Sequence, residues 1–152
     1  MNAAYVHICL SHAPAVITLM GFALLAFGVW RKSEDIKRSA LGILVFAGLT
    51  VIPLYLTGGP AADAVKGLPG FADRILDQHQ AIAAATLAGS LLIAMTAAAG
   101  LSFFRRERSI AGWLSTLVLA GALVMGGLLA WTAHLGGQIR HSEIRASGAE
   151  GN

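Results

Sequence analysis

Five histidines are the residues of this chain whose chemistry is easiest to recognise, and all of them lie at or near the ends of long apolar segments. They are His7, His12, His79, His134 and His141. Imidazole is the usual protein ligand for haem iron, copper and zinc. If the apolar segments cross a membrane in turn, every histidine falls on the same face of that membrane. The spacing therefore predicts a haem or metal site close to one membrane surface.

The composition is that of a membrane protein. Of 152 residues, 56% are hydrophobic and only 12% are charged, and the mean hydropathy is +0.68. Soluble domains carry about a quarter charged residues. The net charge of +3 comes from basic residues in short turns between apolar segments, which indicates membrane topology and no nucleic-acid partner. We expect one membrane domain over residues 1–152.

Four apolar segments approach or exceed the ~20 residues that cross a bilayer as a helix. We predict spans over about residues 12–30, 39–56, 79–104 and 110–135. Backbone groups in lipid must bond internally, which favours helices. The predicted fold is all-α, an integral membrane four-helix bundle with up-down-up-down order.

Positive charges predict the orientation of this bundle. Seven of the eleven Lys and Arg residues occupy the turns after the first and third spans: Arg31, Lys32, Lys37, Arg38, Arg105, Arg106 and Arg108. The positive-inside rule puts both turns in the cytoplasm. Both termini, the middle connection and all five histidines then face the periplasm, in a multi-pass protein of a bacterial inner membrane.

The middle connection, residues 57–78, is predicted to be a structured outer loop, since loops of this length are commonly functional. Thr57-Gly58-Gly59-Pro60 is expected to end the second helix. Residues 73–78 are expected to lead into the third span as an amphipathic helix. Three apolar side chains near this lead should face the membrane, those of Phe71, Ile75 and Leu76. The loop would then cover the histidine face as a lid.

The predicted spans also lack features that other membrane functions need. No Asp, Glu, Lys or Arg lies inside them, which argues against an ion-coupled transporter or a channel. No histidine reaches the cytoplasmic half, so any redox chemistry belongs to the outer leaflet. Cys9 is the only cysteine, which excludes an internal disulfide and the covalent attachment of a c-type haem. We interpret Cys9 as a packing residue.

Two arginines and a glycine pair lie beside the candidate ligands. Arg74 and Arg140 could pair with haem propionates through charge-assisted hydrogen bonds, although arginines near lipid headgroups are a simpler explanation. Gly136-Gly137 predicts a bend that ends the fourth helix between His134 and His141.

Four stretches of the sequence together resemble a bacterial family of four-helix proteins that is described only as predicted membrane proteins of unknown function. These stretches are His7–Pro14, Tyr55–Ala61, Leu68–His79 and Leu135–Arg145. By motif, His7 and His12 match the paired histidines before the first span, and His79 matches the one that opens the third. His141 matches the histidine after the Gly-Gly pair, whereas His134 falls at a more variable position. Related proteins are linked to c-type cytochromes or Rieske proteins, so the resemblance implies a redox setting.

The leading hypothesis is a b-type cytochrome-like electron-transfer subunit rather than a stand-alone enzyme. Two imidazoles would hold haem b near the periplasmic surface, with ligands drawn from a set of four and one in reserve. The set is His7, His12, His79 and His141, and the reserve is His134. Bis-histidine iron has no open position, so such a protein would pass electrons between a quinone or membrane partner and a periplasmic redox protein.

Two alternatives stay open. The same histidines, with Asp73 or Asp77 available, could hold copper, zinc or iron, and three histidines plus an open position would make a catalytic site possible. In the other alternative, the chain is a structural subunit of a larger membrane complex, and its histidines only lie at the membrane interface.

Overall fold

The chain is helical throughout the part that the structure, a computed structural model, describes: residues 3–104 and 109–145. The predicted basic residues Arg105, Arg106 and Arg108 lie outside these ranges. The helices are α1 (Ala3–Leu10), α2 (Ala13–Trp30), α3 (Glu34–Val65), α4 (Asp73–Phe103) and α5 (Gly112–Gln138), followed by a 3₁₀ turn at Ser142–Ile144. Four helical stretches are long and apolar enough to cross a membrane, with α1 and α2 forming the first of them. The prediction of an all-helical protein with four membrane-length helices is confirmed.

The four long helices form a closed ring. Helix α2 packs on α3, α3 on α4, α4 on α5, and α5 returns to α2, while α1 lies against α3. Small residues allow the closest approaches: a Cβ placed on Gly48 of α3 would lie 2.5 Å from the Ala94 Cβ and 2.9 Å from the Ser90 carbonyl oxygen of α4. Helices in lipid associate mainly through such van der Waals packing, because lipid is as apolar as the side chains.

The turn between α2 and α3 meets the connection between α4 and α5 at one end of the bundle. The Arg38 guanidinium donates to the Phe104 carbonyl oxygen at 2.8 Å. The backbone N–H of Ile110 donates to Glu34 Oε2 at 2.7 Å. We call this the basic end, comprising residues 31–38, 104 and 109–111. The main apolar core lies next to it and includes Leu25, Leu41, Leu114 and Val118.

Helix α3 is longer than predicted. It continues through Thr57-Gly58-Gly59-Pro60 to Val65, so the outer connection spans residues 66–72 and not 57–78. Pro60 removes one helical hydrogen bond because it has no N–H. Glycine and proline are nevertheless tolerated in membrane helices when neighbouring groups pack against them. Ala61, the next residue, is buried at 9% exposure.

The end of the bundle opposite the basic end is closed by the start of α4 and the end of α5. Helix α4 begins at Asp73, as the amphipathic lead predicts, whereas α5 continues through Gly136-Gly137 without the predicted break. Ile75 is buried against α5. Its cluster contains Leu135 and Ile139, with Phe71 and Leu76 packed against them. The prediction that Ile75 faces the membrane is therefore wrong, because the end of α5 covers it, and Phe71 and Leu76 are partly buried against the same cluster.

Candidate functional site

His7 is held against the last turns of α3. Its Nδ1 lies 3.1 Å from the Leu54 carbonyl oxygen and 3.2 Å from Thr57 Oγ1. A carbonyl oxygen can only accept, so Nδ1 carries the hydrogen and donates it. The Thr57 hydroxyl donates to the Pro53 carbonyl oxygen at 2.9 Å, which leaves its lone pairs available to the imidazole. Helix α1 thus places a half-buried imidazole with a defined tautomer against α3.

His79 is held against α5 in the same manner. Its Nδ1 donates to the Thr132 carbonyl oxygen at 2.9 Å. The Thr132 hydroxyl donates to the Leu128 carbonyl oxygen at 2.7 Å and lies 3.2 Å from the hydroxyl of buried Thr86. Thr86 and Thr132 therefore satisfy each other inside the bundle, and the His79 ring has one defined acceptor.

A glycine lies beside each of these two rings. A Cβ on Gly58 would lie 3.4 Å from His7 Cε1, and a Cβ on Gly136 would lie 3.2 Å from His79 Cε1. Any larger residue at Gly136 would press on the imidazole. The two Gly-Gly pairs, which the sequence suggests are helix ends, instead lie within helices. Gly136 makes room for the His79 ring, whereas a Cβ at Gly58 would make ordinary contact with the His7 ring. We call the region of His7, His79, residues 54–58 and residues 132–136 the histidine end.

The second nitrogen of each ring is left for another partner. With Nδ1 protonated, the lone pair of the neutral imidazole lies on Nε2. Among the described residues, no protein group makes a hydrogen bond to Nε2 of His7 or His79. Histidines that bind metals usually donate their other ring N–H to a carbonyl or carboxylate, which is the arrangement of this pair.

The other three histidines are exposed, and no bond of the kind that holds His7 and His79 to a neighbouring long helix is present at them in the described residues. His12 is exposed at the start of α2, and its side chain makes no capping bond. His134 is exposed, with its ring centroid 5.4 Å from that of Trp131. His141 is exposed and pairs with Glu143 Oε1 at 2.6 Å. Within residues 3–104 and 109–145, no group of three or more His, Cys, Asp or Glu side chains is placed to hold a metal ion.

The arginine that anchors this end of the bundle is one that the sequence analysis did not single out. Arg74 and Arg140 are both exposed. Arg145 donates to the carbonyl oxygens of Gln138 at 2.8 Å, Ile139 at 3.0 Å and Gly70. The final carbonyls of any helix lack intrahelical donors, so a basic residue shortly after the end of α5 was the available signal.

Arg145 and its neighbours attach the 66–72 connection to α5. The N–H of Ala72 donates to the Ile139 carbonyl oxygen at 3.1 Å. Gly70 has φ +80°, and a Cβ there would lie 3.2 Å from the Arg140 carbonyl oxygen, so glycine is needed on both counts. The connection therefore docks on the end of α5.

The histidine end presents two imidazoles, one from α1 and one from α4. The Leu54 and Thr132 carbonyl oxygens and the Thr57 hydroxyl orient these rings. In comparisons with known proteins, no protein-family model, no curated protein and no solved structure matches the chain.

Proposed function

We propose that this protein is a b-type cytochrome-like electron-transfer subunit of a membrane, with His7 and His79 as the haem ligands. One observation carries the proposal: two half-buried imidazoles each donate Nδ1–H to a main-chain carbonyl, and no group of the described residues bonds to either Nε2. Bis-imidazole ligation of haem needs this pair of nitrogens and no carboxylate. The three exposed histidines drop out of the ligand set.

The residues around the pair fit such a role. The Leu54 and Thr132 carbonyl oxygens fix the ring orientation and tautomer, and hydrogen bonds of this kind raise the basicity of a ligating imidazole. Haem, when bound, supplies one-electron redox chemistry. If both imidazoles held the iron, no coordination position would be left for oxygen, so the site would carry electrons and would not activate oxygen. Arg74 and Arg140 remain candidates for propionate contacts.

The proposed orientation follows from the charges of the two ends. Arg31, Lys32, Lys37 and Arg38 belong to the basic end, which the positive-inside rule assigns to the cytoplasm. The four spans then run up-down-up-down through a bacterial inner membrane, with both termini and the histidine end in the periplasm. From there the site could exchange electrons with a quinone, a periplasmic redox protein or other subunits of a larger complex.

An optical spectrum tests the proposal. The full chain, produced in a haem-synthesising bacterium and purified in detergent, should show b-type α and Soret bands in the reduced-minus-oxidised spectrum. His7→Ala and His79→Ala should lose these bands, whereas His12→Ala and His141→Ala should keep them. A wild-type protein without the bands, both as purified and after incubation with haemin, would contradict the proposal. Elemental analysis of that protein would then test for copper, zinc or iron.

A further inference from the structure

The two halves of the chain show the same pattern of buried residues. Each residue of α2 can be matched to the residue 72 positions later in α4, as His7 is matched to His79. With this shift of 72 positions, four buried residues of α2 are matched to buried residues of α4. The pairs are Pro14 with Thr86, Thr18 with Ser90, Leu25 with Ala97 and Gly28 with Gly100. The inward faces of α2 and α4 are therefore equivalent.

Helices α3 and α5 match in the same way, with a shift of 78 positions. The buried pairs are Ala40 with Val118, Leu44 with Ala122, Gly48 with Gly126, Val51 with Leu129 and Ala61 with Ile139. The shift is larger than for α2 and α4 because the connection before α5 is longer than the turn before α3. The glycine pairs Gly58-Gly59 and Gly136-Gly137 also coincide in this register.

Contacts between helices repeat in the same register. A Cβ on Gly28 would meet Ile36, and a Cβ on Gly100 would meet Leu114, the residue matched to Ile36. The neighbours of the ring correspond as well: α2 packs on α3 as α4 packs on α5, and α3 packs on α4 as α5 packs on α2. This is the contact pattern of two helical hairpins related by a two-fold axis along the bundle.

One further contact repeats with the small and large residues exchanged. In the first half, a Cβ on Gly21 of α2 would lie 3.3 Å from Ile43 of α3. In the second half, Gly121 of α5 faces Ile93 of α4. Ile93 is matched to Gly21 and Gly121 to Ile43, so the same site in both hairpins pairs one glycine with one isoleucine. The packed volume is conserved although the sequence is not.

The two histidine sites obey this register too. His7 donates to Leu54 and lies against Gly58, whereas His79 donates to Thr132 and lies against Gly136. Thr132 lies 78 positions after Leu54, and Gly136 lies 78 positions after Gly58. The acceptor and the glycine of the second site are therefore the matched residues of the first. The other histidines have no counterpart, since His12, His134 and His141 match Ala84, Leu56 and Asp63.

We propose that the chain is a duplicated helical hairpin and that His7 and His79 are equivalent residues that would hold one haem between the two halves. The identity of the occupant rests on the function proposed above, whereas the equivalence of the two histidines rests on the repeat. A bis-imidazole centre needs two ring nitrogens, and the repeat supplies one from each hairpin. The chain therefore binds one haem, and the three unmatched histidines bind none.

A haemin titration of the full chain in detergent tests the stoichiometry and the equivalence. One haemin per chain should bind with a six-coordinate, low-spin spectrum. His7→Ala and His79→Ala should each lose that spectrum to the same extent, and His12→Ala and His134→Ala are the matched controls. Two haems per chain would overturn the inference and leave the haem function standing. Loss of the spectrum in a control but not in His7→Ala or His79→Ala would overturn both the inference and the ligand assignment of the proposed function. Absence of any haem binding would instead overturn the proposed function.

A crosslinking measurement tests the axis without any haem. In a Cys9→Ala background, cysteines replace His7 and His79, or the matched neighbours Val6 and Gln78. A short bismaleimide should link each pair within one folded chain, as judged by gel filtration before reaction. A pair with cysteines at residues 7 and 35, at opposite ends of the bundle, should not be linked. If neither matched pair is linked in a folded variant, the shared axis is wrong.

Discussion

The polar side chains at the two ends of the bundle differ in how fully they are hydrogen-bonded within the protein. At the basic end, Glu34 accepts from both Lys37 and the Ile110 backbone, and Arg38 binds the Phe104 carbonyl oxygen. At the histidine end, His7 and His79 use only Nδ1. At the basic end, Glu34, Lys37 and Arg38 thus bond within the protein, while at the histidine end neither Nε2 has a hydrogen bond from the described residues.

This difference distinguishes polar groups that bond within the fold from those that the proposed function assigns to a ligand. The basic end joins two connections, so its loss should cost stability. The histidine end holds two rings that the fold orients but does not need to bond at Nε2. Replacements at the first end should therefore change the free energy of unfolding, and replacements at the second should mainly change ligand binding.

The largest effect is expected from Glu34→Ala. This change removes the acceptor of the Ile110 N–H, and Ile110 is only 2% exposed. An unpaired buried donor costs about 1–3 kcal/mol, so the free energy of unfolding in mixed detergent should fall by about that amount. Asp35→Ala, an exposed acid in the same turn, is the control. Equal losses in both variants would show that only the charge near the helix start matters.

Arg145→Met should loosen the histidine end locally. It removes charge-assisted bonds to Gly70, Gln138 and Ile139, worth about 1–2 kcal/mol after allowance for partial exposure. Hydrogen exchange at the Ala72 amide should become about tenfold faster, as mass spectrometry would measure. Arg140→Met, which replaces an exposed arginine, should leave the exchange unchanged. Unchanged exchange in Arg145→Met would mean that the Ala72–Ile139 bond holds the connection alone.

Alanine substitutions in the two Gly-Gly pairs distinguish a glycine that leaves space for a histidine ring from one that only makes its helix more flexible. Gly59 has open space at its Cβ position, so Gly59→Ala should stabilise α3 by about 0.5–1 kcal/mol. Gly136→Ala should gain less, because its Cβ would lie 3.2 Å from His79 Cε1 and displace the ring. Thermal unfolding compares the two, and the haem spectrum should shift only in Gly136→Ala. Equal gains with unchanged spectra would argue against the clearance role.

The smallest effect concerns Glu143, beyond the last helix. Its own backbone N–H, followed by the His141 imidazole, lowers the pKa of the Glu143 carboxyl. The resulting stabilisation is complete above the unfolded-chain pKa and is lost as the pH falls through the lower folded value. A titration followed by NMR should place the Glu143 midpoint below that of a free glutamate, and His141→Ala should raise it. A Glu143 titration midpoint equal to that of a free glutamate would contradict the pairing of Glu143 with His141.

The long helices could be predicted from the sequence because hydropathy and span length are local properties. The helix ends could not, since Pro60 and Gly136-Gly137 are ordinary stop signals that tertiary packing overrides here. His7 packs on one of these regions and His79 on the other, and each contact joins residues far apart in the chain. No local pattern reports such a contact.

The sequence also could not distinguish the two paired histidines from the other three. All five occupy similar positions at helix ends, and only the bonds to Leu54 and Thr132 separate His7 and His79 from the rest. The repeat was accessible in principle through the coincidence of His7 with His79 and of the two Gly-Gly pairs. It is masked because the matched positions exchange residues of different size, as Gly21 and Ile93 do.

The sequence separation within each histidine contact bears on how the protein is synthesised. His7 bonds to a carbonyl 47 residues later, and His79 to one 53 residues later. A ribosome must therefore complete the second helix of a hairpin before that hairpin's imidazole finds its acceptor. Since Leu54 precedes His79, the first hairpin can mature in the translocon while the second is still untranslated. A nascent chain arrested before α5 would hold one oriented imidazole, that of His7, and would lack the acceptor that orients His79.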